Sequence, residues 1–363
     1  MTTGERERRR SAALMPDSEH RNGQTPPDWP LRSRVGTRLI IRGTVTPARH
    51  RGESRIVTGM PELPEVETVA RDLQRWVAGA TIRDAVVHWD RTIRHPQPAE
   101  RFVAEVTGAT IQRVDRRAKT VLLHLADGRV MTVALRMTGA LIVAEPGAPD
   151  DPYARVVFQL ADGRELRYRD VRKFGRIGLW PGGGLRSVGS GRGVRSRKVA
   201  EGIGRYRIGE VFSGHGPEPL QRGFSAERFA QRLSRRSAKL KTLLLDQSFI
   251  AGVGNIYADE ALWRARLHPL RAADTLDERD VRRLHRAVRQ VLREGIANRG
   301  SSFSDYVGAD GEPGRNAERL AVYRRTDQPC YRCGRRIERI VVGQRSTHFC
   351  PRCQREPVAS AET

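Results

Sequence analysis

The sequence predicts an α+β chain, and three observations predict it. Short alternating apolar runs punctuated by Asp-Gly fill residues 81 to 180, helical periodicity takes over from 225 to 297, and two Cys-x-x-Cys pairs close the chain. Its 363 residues are enough for about two or three domains, and 38% hydrophobic content supports real cores, which excludes global disorder. Against 42 Asp plus Glu stand 66 Lys plus Arg, and the resulting +24 points to a polyanionic partner, nucleic acid ahead of an anionic membrane. No run approaches the roughly 18 apolar residues of a spanning helix, and the Arg-rich start leads into no apolar signal core. A soluble cytoplasmic protein with no membrane partner is expected.

Residues 1–59 carry 12 Arg and 6 acidic residues among clustered Pro, Gly and Ser, and read as a disordered or misassigned extension. Without them the charge is still +18. From Pro64, the positions Val66, Val69, Ala70, Leu73, Trp76 and Val77 recur at helical spacing, with Pro64 and Glu65 suited to a first turn. Strands are expected at 81–89, 110–114, 120–125, 129–135, 140–143, 154–160, 164–168 and 176–180. Asp127-Gly128 and Asp162-Gly163 mark hairpins, so the region is antiparallel. The Gly- and Arg-rich stretch 182–210 reads as a flexible basic insertion, and Gly216-Pro217-Glu218-Pro219 as a boundary. Helices follow at 226–235, 238–246, 255–265 and 277–297. The expected division is 60–181, a linker to 224, a helical domain at 225–325, a metal-dependent finger at 326–356, and a tail at 357–363.

Cys330, Cys333, Cys350 and Cys353, with sixteen residues between the pairs, have the spacing by which two thiolate pairs wrap a tetrahedral Zn²⁺. Four thiolates close the site, so one structural zinc is expected, with a redox dithiol as the other reading. Between the pairs, 339–349 alternates around Gly343 as a basic hairpin. The run Leu243 to Ala265 holds a Gly-containing turn with Asn255 as a candidate helix cap. Its backbone N–H groups at a positive helix end suit a DNA phosphate, or it is an ordinary helix corner; Arg235, Arg236, Lys239 and Lys241 beside it favour the phosphate.

Three separated strings, Met60-Pro61-Glu62-Leu63-Pro64-Glu65, Gly252-Val253-Gly254-Asn255-Ile256-Tyr257 and the four-Cys finger, converge on one resemblance. So do Arg116-Arg117-Ala118-Lys119, Met137-Thr138-Gly139, Asp170-Val171-Arg172-Lys173-Phe174-Gly175 and Gly216-Pro217-Glu218-Pro219-Leu220. From Met60 to about Glu356 the chain resembles bacterial formamidopyrimidine-DNA glycosylases. The resemblance implies an N-terminal β-sandwich with an N-terminal helix, a helix-two-turn-helix domain and a zinc-finger hairpin. It also implies a monomeric, nucleoid-associated base-excision enzyme that removes 8-oxoguanine and formamidopyrimidines from double-stranded DNA and cuts the abasic strand by β,δ-elimination.

The chemistry fits the residues. Pro61, once free, is a secondary amine that gives an iminium directly, and an α-amine titrates near about 8, against about 10.4 for Lys. By resemblance Glu62 is the acid, which requires a carboxyl whose pKa is raised by burial. Lys119 contacts the lesion-side phosphate and Arg345 assists δ-elimination. Met137, Arg172 and Phe174 form the wedge that replaces the extruded base, and Arg236, Lys241 and Asn255 grip phosphates. Tyr153 stands where a DNA-contacting His is common, Arg136 where Gly is usual, and Ser304 where some members carry Lys. Because Pro61 is inert as an amide, translation is expected to begin at Met60, with that Met removed. The competing readings are an endonuclease VIII-like glycosylase for oxidised pyrimidines and an inactive zinc-finger protein that binds lesions.

Overall fold

The computed structural model describes residues 60–182, 208–303 and 306–356. The extension at 1–59, most of the insertion read at 182–210, Ser304 and the tail from 357 lie outside the described residues. Helix α1, Leu63–Trp76, opens the described chain. It is followed by β1 (Ile82–Val87), β2 (Ile93–His95), α2 (Ala99–Val106), β3 (Ile111–Arg117), β4 (Thr120–Leu125), β5 (Val130–Ala134), β6 (Gly139–Ala144), β7 (Ala154–Leu160), β8 (Glu165–Asp170) and β9 (Arg176–Trp180). The strands form a five-stranded sheet in the order β2-β9-β5-β4-β3 and a four-stranded sheet in the order β1-β7-β8-β6.

One core fills the space between the sheets. Leu123, Met131 and Val133 from the first meet Leu141, Val156 and Phe158 from the second, all fully buried. The apolar stripe of α1, Val66, Val69 and Leu73, joins the same core, each side chain worth about 1.5–3 kcal/mol of burial. Alternation along β7 and β8, strictly period two in burial, fixes which face turns inward. Gly128 and Gly163 adopt left-handed conformations in the two Asp-Gly hairpins, as that signal requires. Two elements escaped the sequence reading, β2 and α2. The expectation of a wholly antiparallel region is corrected by β2, which pairs parallel with β9. At three residues, β2 is too short to show a period.

Beyond a short helix α3, Ile208–Val211, come α4 (Ala226–Leu233), α5 (Leu240–Leu245), α6 (Asn255–Ala265) and α7 (Glu278–Ala297). Asp277 caps α7 by accepting the Asp280 N–H at 2.7 Å. Leu240, Leu244, Ile256, Leu284, Val288 and Leu292 build the second core, and Leu63 of α1 inserts into it. Helix α1 is therefore the joint of the molecule: its first residue packs with the helices and the rest of its stripe with the sheets. The finger is the hairpin β10 (Glu338–Val342) and β11 (Arg345–Phe349), turned at Gly343-Gln344, where both residues have positive φ as a type I′ turn demands. Among the described residues no helix is long and apolar enough to cross a membrane.

Candidate active site and DNA-facing surface

The start of α1 sits against the turn before α6. The Leu63 N–H donates to the Gly252 carbonyl at 3.0 Å. The Glu62 carboxyl accepts from the Ile256 N–H at 2.8 Å and the Tyr257 N–H at 3.4 Å. Glycine at 254 makes this approach possible, because a Cβ there would collide with the Glu62 carboxyl carbon. The positive end of α6 thus receives this protein's own carboxylate, which revises the expectation that those N–H groups await a phosphate. Gly254, rather than Asn255, is the N-cap residue.

Glu62 is buried and its carboxyl is pushed up to about 7, chiefly by desolvation, with the neighbouring Glu65 adding to the rise. Lys119 and the Ile256 N–H pull the other way without cancelling it. Glu65, expected only to complement the helix dipole, is a buried hub that accepts from the Glu62 N–H, the Tyr257 hydroxyl and the Ser301 N–H. Pro61 is buried beside them.

Lys119 is delivered by the two-residue β3–β4 turn. Ala118 holds φ at 53° there, and its N–H donates to Glu218. Glu218 also pairs with Arg116 at 2.8 Å and Arg117 at 2.9 Å, while Arg116 reaches Glu67 of α1 at 2.8 Å. Desolvation lowers the Lys119 pKa, and Glu62, Glu65, Arg345 and Arg136 all lie within electrostatic reach of its ammonium. Residues separated by more than 280 positions therefore come within electrostatic reach of one ammonium.

A second group forms the candidate wedge. Buried Asp170 accepts from the Thr138 hydroxyl, from the Tyr168 hydroxyl at 3.3 Å and from the Gly175 N–H at 2.7 Å. The Arg172 N–H donates to Thr138 at 3.0 Å, so the Met137 and Arg172–Phe174 loops are tied together. Phe174 is 47% exposed, its ring under the Arg172 guanidinium, and Tyr153 is 42% exposed beside Arg155 and Arg169. Solvent-facing aromatics on loops pinned from below are suited to stacking against bases.

Of the expected phosphate grips, Arg236 is exposed at the α4–α5 corner. Asn255 donates through Nδ2 to the Ser346 carbonyl at 2.9 Å, tying the α6 turn to β11 beside the exposed Arg345. Lys241 corrects its expectation: it is fully enclosed, its Nζ 2.6 Å from Asp259 and 3.0 Å from the Asn255 carbonyl. Asp259 also accepts from the His348 backbone N–H at 2.9 Å. Its charge serves the α6–β11 joint and is not presented to a ligand. The basic run around it gave no hint of this, since only the Asp259 partner, 18 positions away, turns the side chain inward.

The four cysteine sulfurs lie within 4.8 Å of one another, with Cys333 and Cys350 at 3.4 Å. A tetrahedral Zn²⁺ with bonds of about 2.3 Å places sulfurs about 3.8 Å apart, so the cluster fits. Burial and the adjoining thiols push Cys350 up to about 12, while at Cys330 burial is outweighed by hydrogen bonds led by the Trp263 N–H, which bring it down to about 6; a bound cation would hold all four as thiolates.

A carboxyl poised near neutrality beside Pro61, a gathered Lys and Arg, an exposed aromatic wedge and a basic surface define a class of protein, a DNA base-excision repair glycosylase. Three family models match in sequence: the formamidopyrimidine-DNA glycosylase N-terminal domain at 60–177, its H2TH domain at 215–307 and the zinc finger found in FPG and IleRS at 327–355. The chain belongs to the formamidopyrimidine-DNA glycosylase family, whose members are glycosylase/AP lyases. It is 46% identical over 279 residues to the enzyme of Heliobacterium modesticaldum and 40% over 276 to that of Desulforamulus reducens, each match covering 76% of this chain and 92% of the relative. Among solved structures it resembles the MutM (Fpg) protein of Thermus thermophilus (TM-score 0.68, 40% identity, 82% of this chain and all of that one). It also resembles the Lactococcus lactis Fpg in complex with DNA containing an abasic site (TM-score 0.70, 32% identity, 81% and all).

Proposed function

We propose that this protein excises oxidised purines, 8-oxoguanine and ring-opened formamidopyrimidines, from double-stranded DNA as a cytoplasmic monomer, and then cuts the abasic strand. The observation that carries the reading is the buried Glu62 carboxyl, bonded to the α6 N-terminus next to Pro61 and pushed up to about 7 by desolvation.

The Pro61 nitrogen attacks C1′ and the C1′–base bond breaks, its electron pair leaving with the base, which takes up the proton that the Pro61 nitrogen sheds. Opening of the C1′–O4′ bond, with O4′ protonated by Glu62, leaves an iminium between C1′ and Pro61. Loss of a C2′ proton then expels the 3′ phosphate, and a second elimination expels the 5′ phosphate. In this reading Lys119 and Arg345 hold the phosphates that leave. Met137 fills the vacated stack, Arg172 bonds the orphaned cytosine and Phe174 stacks beside it, offsetting the few kcal/mol of extrusion. Tyr153, Arg236 and Asn255 contact the backbone, and Lys241 acts as a positioning residue. A zinc ion held by Cys330, Cys333, Cys350 and Cys353 supplies the cross-link that orients the Arg345 hairpin. The working parts are the regions 60–181, 225–325 and 326–356, joined through 182–224.

The reading requires Pro61 at the head of the active chain, with Met60 as its start codon and then removed. Borohydride trapping on a duplex with 8-oxoguanine opposite cytosine tests it. Protein starting at Pro61 is expected to give a covalent adduct mapped to that nitrogen, and protein with an intact residue 1 is expected to give none. An adduct at the same atom in the longer form overturns the mechanism; binding without any adduct in the Pro61 form leaves a non-catalytic lesion binder.

A further inference from the structure

The far end of α6 carries a feature that base excision does not use. Five arginines, Arg266, Arg271, Arg332, Arg352 and Arg355, line a cleft of about 790 Å³ against Cys333 and Cys353, and among the described residues no acidic one lines it. Helix α6 has 11 residues and so rises about 16 Å, which separates Arg266 at its C-cap from Glu62 and Asn255 at its N-terminus. The catalytic group and this cleft therefore lie at opposite ends of one helix.

Several of these arginines are fixed in place. Arg332 lies 4.1 Å over the Trp263 ring and donates to the Trp263 carbonyl at 3.1 Å. Arg271 pairs with Asp280 at 2.6 Å and donates to the Thr275 carbonyl at 2.8 Å. Arg266 holds φ at 58°, the left-handed C-cap conformation for which glycine is the usual residue. An arginine there keeps a strained backbone and adds a charge. Arg266, Arg352 and Arg355 are exposed.

Charge balance with the metal does not account for them. Four thiolates around one Zn²⁺ carry a net −2, whereas only Arg271 of the five guanidiniums pairs with a carboxylate, so the cleft stays positive. We propose that the cleft is a second DNA-binding site that takes the phosphates of a duplex segment other than the one in the catalytic groove. The lining decides between polyphosphate and protein. It contains arginine and cysteine only, with no apolar pocket to seat the anchor residue on which a peptide partner depends. Arginine forks match phosphate oxygens two at a time and need no such anchor. A protein holding two segments at once passes directly from one to the other, which suits a search for rare lesions. The inference rests on the DNA-repair reading above.

The test compares the Pro61-start enzyme with Arg266→Ser/Arg352→Ser/Arg355→Ser, none of which is assigned to excision. Zinc content and melting temperature confirm folding. Single-turnover excision on a duplex just long enough to span the catalytic groove is expected to be unchanged; failure of the unaltered enzyme in this arm would strike the DNA-repair reading, not the cleft. Dissociation from labelled long DNA is expected to speed up with competitor duplex for the unaltered enzyme and to be independent of competitor for the variant. The log K against log salt slope on long DNA is expected to fall by about 2 to 3, close to 0.9 per lost phosphate. Equal competitor dependence and equal slopes overturn the proposal. So does a variant that loses only the binding of a poly-glutamate peptide, which would make the occupant an acidic protein. If the triple variant loses zinc, Arg266→Ser alone, which lies outside the cysteine knuckles, is read by the same criterion with a slope change of about 1.

Discussion

Two kinds of turn coexist in the β region, and they are built by different means. The hairpins at Asp127-Gly128 and Asp162-Gly163 are made by their own residues: glycine takes the positive φ, and each Asp side chain accepts the N–H two residues on. The turns that carry Lys119, Met137 and Phe174 place Ala118, Arg136 and Lys173 in the left-handed region instead, and the finger turn before Arg345 places Gln344 there beside Gly343. Non-glycine residues meet a cost of about 1–2 kcal/mol there. What holds these turns is remote: Glu218 for Lys119, Asp170 for the wedge loops, and the α6 turn, through Asn255 and Ser346, for Arg345. Surface turns are local and carry little strain, while site turns are strained and anchored from elsewhere, so each can be broken separately.

The remote contact that seats the catalytic acid is expected to give the largest effect. Glu62 reaches the α6 N-terminus across 194 positions, and Glu62→Gln removes its proton while keeping its shape. Excision is expected to fall by about 10²- to 10⁴-fold, the usual worth of a positioned acid, in single-turnover assays. In the unaltered enzyme the rate is expected to decline as pH rises through about 7, and in the variant this limb is expected to vanish. Stability should move the opposite way. A carboxyl whose folded pKa exceeds its unfolded value loses stabilisation as pH rises between the two, so Glu62→Gln is expected to raise the melting temperature more at pH 8 than at pH 5. An unchanged pH limb in the variant would assign the acid elsewhere.

Glu218→Ala strikes the next anchor. Arg116 and Arg117 are 8% and 17% exposed and would lose a shared carboxylate, which costs about 3–5 kcal/mol when a buried pair is broken. Denaturant unfolding is expected to show that loss. Excision by the remaining folded enzyme should fall as well, because the Lys119 turn loses its hold. Loss of stability with full activity would make Glu218 purely structural.

These anchors explain how much could be read from sequence. The Asp-Gly hairpins, the α1 stripe and the four-Cys spacing are local patterns, and each was legible within a few residues. Pro61, Lys119 and Arg345 gained roles only through resemblance, since nothing local distinguishes Lys119 from any other surface lysine. Lys241 was misread for the converse reason: its basic neighbours Arg235, Arg236 and Lys239 are exposed, but Asp259 draws this one side chain inside. The scaffolding roles of Asp170 and Glu218 were not read at all, although both stand in recognisable strings, because a carboxylate's partners are set by tertiary folding.

Asp170→Asn probes the wedge more gently. An amide has one accepting oxygen where the carboxylate serves Thr138, Tyr168 and Gly175, so one buried donor goes unmatched, at about 1–3 kcal/mol. Base extrusion, followed by 2-aminopurine fluorescence opposite the lesion, is expected to slow before excision of an already unpaired base does. Equal slowing on paired and unpaired substrates would remove the wedge from the argument.

The smallest effects test the comparison itself. Gly128→Ala places a Cβ in a left-handed position and is expected to destabilise by about 1–2 kcal/mol with excision untouched, because that hairpin lies outside the site. Arg136→Gly should do the reverse. It relieves a φ of 59° and, against the greater entropy of glycine in the unfolded chain, is expected to be neutral or to stabilise by up to about 1 kcal/mol. It also removes an exposed cation that helps hold the Lys119 pKa down, so the Lys119 pKa is expected to rise. The salt slope for DNA binding should drop by about 1 if the guanidinium meets a phosphate. Stability gained while DNA affinity falls would show that the strained conformation is retained for the ligand. Stability lost would mean that Arg136 supports its own loop, and the division between locally built and remotely anchored turns would fail at that position.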